Sequence, residues 1–277
     1  MPSKVLDDKE IAKYLRSSVL CDCDNPIVKA AAEKIVEATE TSKEAAIKIF
    51  YYVRDKIPLA FLDPWKTASE TLRLGKGSCL TKAILQVALL RSVGIPARFR
   101  IMEFKGNNPD EWEGILPKFA VSKMPERWYH YFGEVYVEGK WVMADATFDK
   151  ALLPDIENWD GDEDIYEIED EAILSDMGSY VFIEEEAKKL DQLYRKPILW
   201  MMNSYRFFWI MNLFMKIQRR KNKPSLYERK SSFSESLADW EIFEKNIKKS
   251  GKYYTERTTF HMHRFEKTQS CRMTRQV

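Results

Sequence analysis

The sequence predicts an α+β fold, and three stretches carry that prediction. Residues from Asn25 to Asp55 show helical periodicity in two segments. Gly77-Ser78-Cys79 opens another helix, in which Leu80, Ala83, Ile84, Val87, Ala88 and Leu90 recur at helical spacing. Tyr129 to Thr147 reads as an antiparallel hairpin rich in aromatic and β-branched residues. Helices gathered ahead of antiparallel strands make an α+β arrangement.

The first helices have defined starts. Asn25-Pro26 supplies an N-cap and a proline at the first helical position, and Ala30, Ala31, Ala32, Ile35 and Val36 follow. Thr41 and Glu44 form a predicted capping box, with Ala46, Ile47, Phe50, Tyr51 and Val53 as the apolar face behind them. Ile57-Pro58 ends the segment. Ahead of it, Cys21-Asp22-Cys23 is a C-x-C pair without a second ligand pair, which is a weak metal signal.

Phe61 to Leu74 reads as a loop and a short helix leading to Cys79. Ser78 is the expected N-cap, so Cys79 falls in the first turn, where free N–H groups and the helix dipole favour a thiolate over a thiol. From this segment alone a small buried structural cysteine fits as well. Val93-Gly94 stops the helix. Ile95 to Ile101 reads as a strand, and Lys105 to Glu126, with its Gly, Asn and Pro, as a loop beside a cleft.

The hairpin register follows from its turn. With Glu138 and Gly139 as the two loop residues, Val137 faces Lys140 and Phe132 faces Asp145. His130 and Asp145 then share one face as diagonal neighbours, roughly 7–8 Å apart at Cα and within reach of a hydrogen bond. A loop one residue longer would put them on opposite faces. The other histidines, His261 and His263, lie in a polar tail. Cys79, His130 and Asp145 therefore form the candidate catalytic set: a nucleophile, its base and the group that orients the base. The plainer alternative is a satisfied sheet histidine beside a strand-end aspartate.

These residues resemble the transglutaminase-like superfamily of papain-fold thiol enzymes. The matching blocks are Gly77-Ser78-Cys79, Leu90-Arg91 through Gly94-Ile95-Pro96-Ala97-Arg98, His130-Tyr131-Phe132-Gly133-Glu134-Val135, and Trp141 with Asp145-Ala146-Thr147. Tyr52-Val53-Arg54-Asp55 and Ser69-Glu70-Thr71-Leu72 also look like this family. The resemblance covers about Asn25 to Leu153. It implies a cysteine helix packed on an antiparallel sheet that carries the histidine and the aspartate, with Cys79 as nucleophile, His130 as base and Asp145 as orienting acid. Many members have Trp where this chain has Phe132. No side-chain oxyanion donor is assigned; the backbone N–H of Cys79 offers one donor, and Trp65 is a candidate for lining the pocket. The family holds peptidases, amide hydrolases, protein cross-linkers and inactive members.

Composition narrows the classes. Of 277 residues, 45% are hydrophobic and 31% charged, and net charge is +1, so no global field draws the chain to nucleic acid or membrane. Met1 to Tyr14 is charged and lacks the apolar core of a signal peptide. Four cysteines make no disulfide framework. The expected setting is the cytoplasm, with reduced thiols, no cofactor and no metal. The core is expected over residues 1–154, and an acidic linker with a helical, basic extension over 155–277.

Asp155 to Glu171 holds ten acidic residues and no basic one. Asp160, Asp162, Asp164 and Glu171 match the spacing of a calcium loop, but Ile165 stands where that loop needs glycine, so a solvated loop is the expectation. Pro197 to Ile217 is the most apolar run. Asn203, Arg206, Asn212 and Lys216 interrupt it, which favours a helix docked on protein over one in lipid. Trp200, Phe207, Ile210 and Phe214 are its expected apolar face, with the asparagines and Arg206 on a polar flank. From Lys216 onward there are 16 Lys and Arg against 7 Asp and Glu. Tyr227, Phe233, Trp240, Phe243, Tyr253 and Tyr254 suggest packing there, and no nucleic-acid motif accompanies the charge.

The expected chemistry is attack by Cys79 on an amide of a protein or peptide, through a thioester, with hydrolysis favoured over transfer to an amine. The alternative from a different class is a non-catalytic protein-interaction module that keeps the fold. Membrane association is possible but not favoured.

Overall fold

A computed structural model describes residues 6–113, 115–122, 124–166, 170–190 and 205–222. Contacts divide the chain into two units, Met1–Pro224 and Ser225–Val277, and all described residues lie in the first. The expectations for Trp200, Asn203, His261, His263 and the basic, aromatic tail fall outside the described residues, as do those for the side chains of Arg206 and Phe207.

The helices start where their caps place them. α1 (Asp8–Lys13) has Asp7 as cap. In α2 (Pro26–Ile35) the Asn25 side chain accepts the Ile27 N–H, and Val28, Ala31, Ala32 and Ile35 turn inward. In α3 (Ser42–Lys56) Thr41 accepts the Glu44 N–H at 3.1 Å, but the Glu44 carboxylate takes the N–H of Glu40 rather than that of Thr41. The predicted box is thus displaced by one residue on its return limb. α4 (Ala68–Leu74) carries a complete box between Thr67 and Glu70, and ends at Gly75, whose φ of 61° suits a residue without Cβ.

α5 (Cys79–Ser92) is the centre of the molecule. The apolar stripe expected of it understates its burial: every residue from Leu80 to Arg91 is buried. It packs on α2, α3 and α4 and on strands β1 (Ala97–Lys105) and β2 (Arg127–Val137). Ile84, Leu85, Leu89 and Leu90 are fully enclosed. Truncating one of them to alanine costs about 2–5 kcal/mol.

The sheet has the order β3-β2-β1-β4, with every pair antiparallel. β2 and β3 (Lys140–Ala144) form the expected hairpin: Val137 faces Lys140, and the ladder runs to Gly133 facing Ala144. Glu138 (φ 50°) and Gly139 (φ 80°) form its two-residue turn, both left-handed. β1 runs on past the expected Ile101 to Lys105, paired with β2 along its whole length, and its other edge pairs from Phe99 to Phe104 with β4 (Ile173–Tyr180), a strand lying beyond residue 154. Glu134, nearly enclosed, bonds Arg98 at 2.5 Å and Arg100 at 3.2 Å, and Arg100 reaches Asp176 and Ser179 on β4.

The segment between β1 and β2 is more ordered than the loop expected there. It carries a short 3-10 turn (Asp110–Trp112) and α6 (Lys118–Val121). Trp112, Ile115, Leu116, Ala120 and Val121 join a second core with Phe104, Phe148 and Leu152. Turn-forming residues there bring apolar ones back onto the sheet. The acidic stretch is also structural: Lys43 pairs with Asp162 at 2.6 Å, Asp164 accepts the Met143 N–H, and Ile165 bridges Ala144.

Residues 184–190 form α7, and α8 spans Tyr205–Lys221. α8 docks on protein, but through another face than the one expected. Met211 and Met215 are fully buried in the second core, and Phe208 stacks on Phe61 at 6.0 Å. Asn212, assigned to the polar flank by its spacing, is turned inward and bonds both backbone groups of Phe61. Phe214 is half-buried against Phe119. Among the described residues, no helix is long and apolar enough to cross a membrane.

Candidate active site

The approach to Cys79 is held from one side by an extended segment. Leu59 bridges Gly77, the Ala60 N–H donates to the Gly77 carbonyl at 2.8 Å, and the Gly77 N–H donates to Pro58 at 3.2 Å. A side chain at Gly77 would stand 2.7 Å from Thr81 Oγ1 and 2.9 Å from Lys82 Cγ, so this close passage needs glycine. Ser78 caps α5: its hydroxyl accepts the Thr81 N–H, and Thr81 Oγ1 accepts the Ser78 N–H at 2.8 Å. Cys79 is the first helical residue and is half-buried. The first N–H groups of a helix have no intrahelical acceptor.

His130 lies near the middle of β2 and Asp145 directly after β3. Both are enclosed, at 5% and 1% exposure. The β2–β3 ladder ends at Gly133 facing Ala144, one residue before Asp145, and His130 Nε2 lies 2.6 Å from Asp145 Oδ2. The second carboxylate oxygen accepts the Thr147 N–H at 2.9 Å. Nε2 is taken by Asp145, and the Cys79 side chain lies near enough to the same imidazole to help raise its pKa. The three expected residues are therefore together.

Two rings fix the imidazole plane. Phe132, two residues along the strand, lies 5.5 Å away and tilted, and Phe104 meets the ring edge-on at 6.3 Å. The residue that replaces the family's usual Trp thus packs on the histidine itself. Burial alone would lower the His130 pKa, but the Asp145 carboxylate and its hydrogen bond, with Cys79 assisting, outweigh it and raise the value to about 10. Burial pushes Asp145 up, and the imidazole opposite it more than reverses this, so its pKa is lowered. The charged pair is the favoured form.

Trp65 is half-buried in the loop before α4, with its N–H on Asp63. Cys21 and Cys23 are core thiols, both pushed upward chiefly by burial. Among the described residues, no group of three or more His, Cys, Asp or Glu is placed to hold a metal ion.

Sequence reasoning missed a buried charged layer beneath the site. Lys82, one turn after Cys79, is 1% exposed, and its Nζ donates to the carbonyls of Thr147 (2.8 Å) and Arg54 (3.2 Å). Asp149 is also buried and pairs with Arg219 of α8. The one signal available was a lysine among the apolar residues of the cysteine helix.

Comparison with known proteins finds similarity over the segment that carries the site. Residues 29–146 match the family model of the transglutaminase-like superfamily. Comparison with curated proteins gives no match. Among solved structures, a provisionally named cysteine protease from Cytophaga hutchinsonii is similar at 19% identity over 68% of this chain and 52% of its own, with a TM-score of 0.46. A provisionally named protease from Parabacteroides distasonis is similar at 17% identity over 48% of this chain and 24% of its own, with a TM-score of 0.31. The chain spans about half of the first protein's length, at 52%, and about a quarter of the second's, at 24%.

Proposed function

We propose that the protein is a thiol enzyme in which Cys79, His130 and Asp145 act as a triad on an amide bond of a protein or peptide substrate. The observation that carries this reading is the 2.6 Å contact of His130 Nε2 with the Asp145 carboxylate, together with a cysteine at a helix N-terminus whose side chain acts on the same ring. An imidazolium and free helix N–H groups both favour a thiolate.

The steps balance. With His130 held as the imidazolium, Cys79 enters the step as a thiolate, and its sulfur attacks the amide carbon. The carbonyl oxygen takes the negative charge, with the Cys79 N–H as one donor to it. The intermediate collapses to a thioester as His130 protonates the leaving amine. Water, deprotonated by the now neutral His130, then attacks the thioester, releasing a carboxylic acid and restoring the thiolate beside the imidazolium. Asp145 holds the ring and stabilises its charged form throughout. Hydrolysis is the proposed second half because transfer to an amine needs a site that excludes water. The cytoplasm, where thiols such as Cys21 and Cys23 stay reduced, is the proposed setting.

A peptide mixture incubated with wild-type protein and with Cys79→Ala, then read by mass spectrometry with and without an added primary amine, tests the proposal. New cleavage or glutamine deamidation in the wild type alone supports hydrolysis, and amine adducts support transfer. If neither product forms and Cys79 alkylates no faster than glutathione, the non-catalytic module is the correct reading.

A further inference from the structure

The segment Pro58–Phe61 runs extended between two neighbours, and its backbone groups alternate between them. Pro58 and Ala60 bond Gly77. Leu59 and Phe61 bond the other side. Asn212 Nδ2 donates to the Phe61 carbonyl at 2.8 Å, and Asn212 Oδ1 accepts the Phe61 N–H at 2.8 Å. Arg219 Nη2 donates to the Leu59 carbonyl at 2.9 Å, and the Leu59 N–H donates to Asp149 at 3.3 Å. Arg219 closes the circuit on Asp149 through Nε at 2.8 Å and Nη2 at 2.5 Å. α8 thus takes the place of a missing neighbouring strand, using side chains to satisfy backbone groups that burial would otherwise leave unpaired.

Both halves of the candidate site connect to this clamp. Gly77 stands two residues before Cys79. Asp149 stands four residues after Asp145, and between them the Thr147 carbonyl is held by Lys82 from the cysteine helix. We propose that α8 is a positioning clamp for the reactive pair: Asn212 and Arg219 fix Leu59–Phe61, and that segment fixes Gly77 and the start of the cysteine helix. The two residues act through backbone groups, so they position and do not react. The inference rests on Cys79 being the reactive thiol. It makes the readiness of that thiol depend on a helix lying beyond the family core of residues 29–146.

The test is iodoacetamide alkylation of Cys79 in the full chain, followed by peptide mapping across a pH series. Asn212→Ala and Arg219→Ala slow alkylation at neutral pH on the order of tenfold, short of the roughly hundredfold that a full ångström of misplacement at a reacting group can cost. They also move the pH profile upward, while far-UV circular dichroism stays that of the wild type. Arg219→Lys recovers part of the rate by keeping the charge at Asp149. Trp209→Ala, on the exposed side of α8, changes nothing. Wild-type rate and pH profile in folded Asn212→Ala and Arg219→Ala overturn the clamp. Should either alanine variant lose its fold, Asn212→Asp, which keeps the acceptor for the Phe61 N–H but sets a carboxylate oxygen against the Phe61 carbonyl, and Arg219→Lys decide by the same profile. A slow Cys79 in the wild type counts against the thiol-enzyme reading, whereas a fast one insensitive to these variants counts against the clamp alone.

Discussion

His130 Nε2 and Asp145 Oδ2 lie 2.6 Å apart across a hairpin whose turn is only Glu138 and Gly139. The carboxylate holds the imidazole charged, with a pKa raised to about 10 against an ordinary 6.5. Asp145→Asn keeps the shape and removes the charge. The His130 titration, followed by NMR of its ring protons, therefore moves down toward the ordinary value. Catalytic turnover falls by about 100-fold or more, because the imidazolium loses its counter-charge. An unmoved His130 titration in Asp145→Asn would show that the carboxylate does not govern the ring.

Thiol reactivity divides the cysteines by burial. Cys79 is half-buried at a helix N-terminus, while Cys21 and Cys23 are enclosed and pushed toward the thiol form. Iodoacetamide at neutral pH is expected to label Cys79 first in the folded protein, with Cys21 and Cys23 following only on unfolding. Peptide mapping over a time course checks the order, and faster labelling of Cys21 or Cys23 contradicts it.

The two strands of this site were legible in the sequence for a physical reason. A two-residue turn fixes the register, and the register fixes which residues share a face. The helix N-terminus at Cys79 was equally local, being set by Ser78 and the apolar run behind it. α8 was not legible in this way. Its polar residues answer to backbone groups of Leu59 and Phe61, far away in the chain, so spacing alone sent Asn212 to the wrong side. β4 escaped for a related cause: Ser175, Asp176, Gly178 and Ser179 give it no apolar alternation, and pairing with β1 makes it a strand.

Gly77 is where the clamp and the cysteine helix meet. A Cβ there would crowd Thr81 Oγ1 at 2.7 Å and the Lys82 backbone nitrogen at 3.3 Å. The neighbours are a capping side chain and a helix backbone, neither free to move without opening the first turn. Gly77→Ala is expected to destabilise the protein by about 1–3 kcal/mol and to slow Cys79 alkylation. Urea unfolding and the labelling assay check both, and full stability with a wild-type rate would mean that the turn relaxes without cost.

Lys82 and His130 oppose each other in the pH dependence of stability. Burial lowers the Lys82 pKa to about 7, against the pull of Asp149 and Asp145, from an ordinary 10.5. The unfolded chain then binds more protons at this residue between pH 7 and 10.5, so its contribution to stability rises with pH there. His130 is raised from 6.5 to about 10, so its contribution is complete below pH 6.5 and is lost as pH climbs through 10. Each slope approaches about 1.4 kcal/mol per pH unit at most, and in the wild type they offset. Lys82→Met removes the rising contribution and leaves the carbonyls of Arg54 and Thr147 without their donor. Its stability is therefore below that of the wild type at pH 10 by more than at pH 7. His130→Ala removes the falling contribution, so its stability gains on the wild type over the same range. Urea unfolding of the three proteins at pH 6, 7, 8, 9 and 10 measures the differences against a shared background. Parallel curves for Lys82→Met and His130→Ala would mean that the two buried groups do not shift stability in opposite senses.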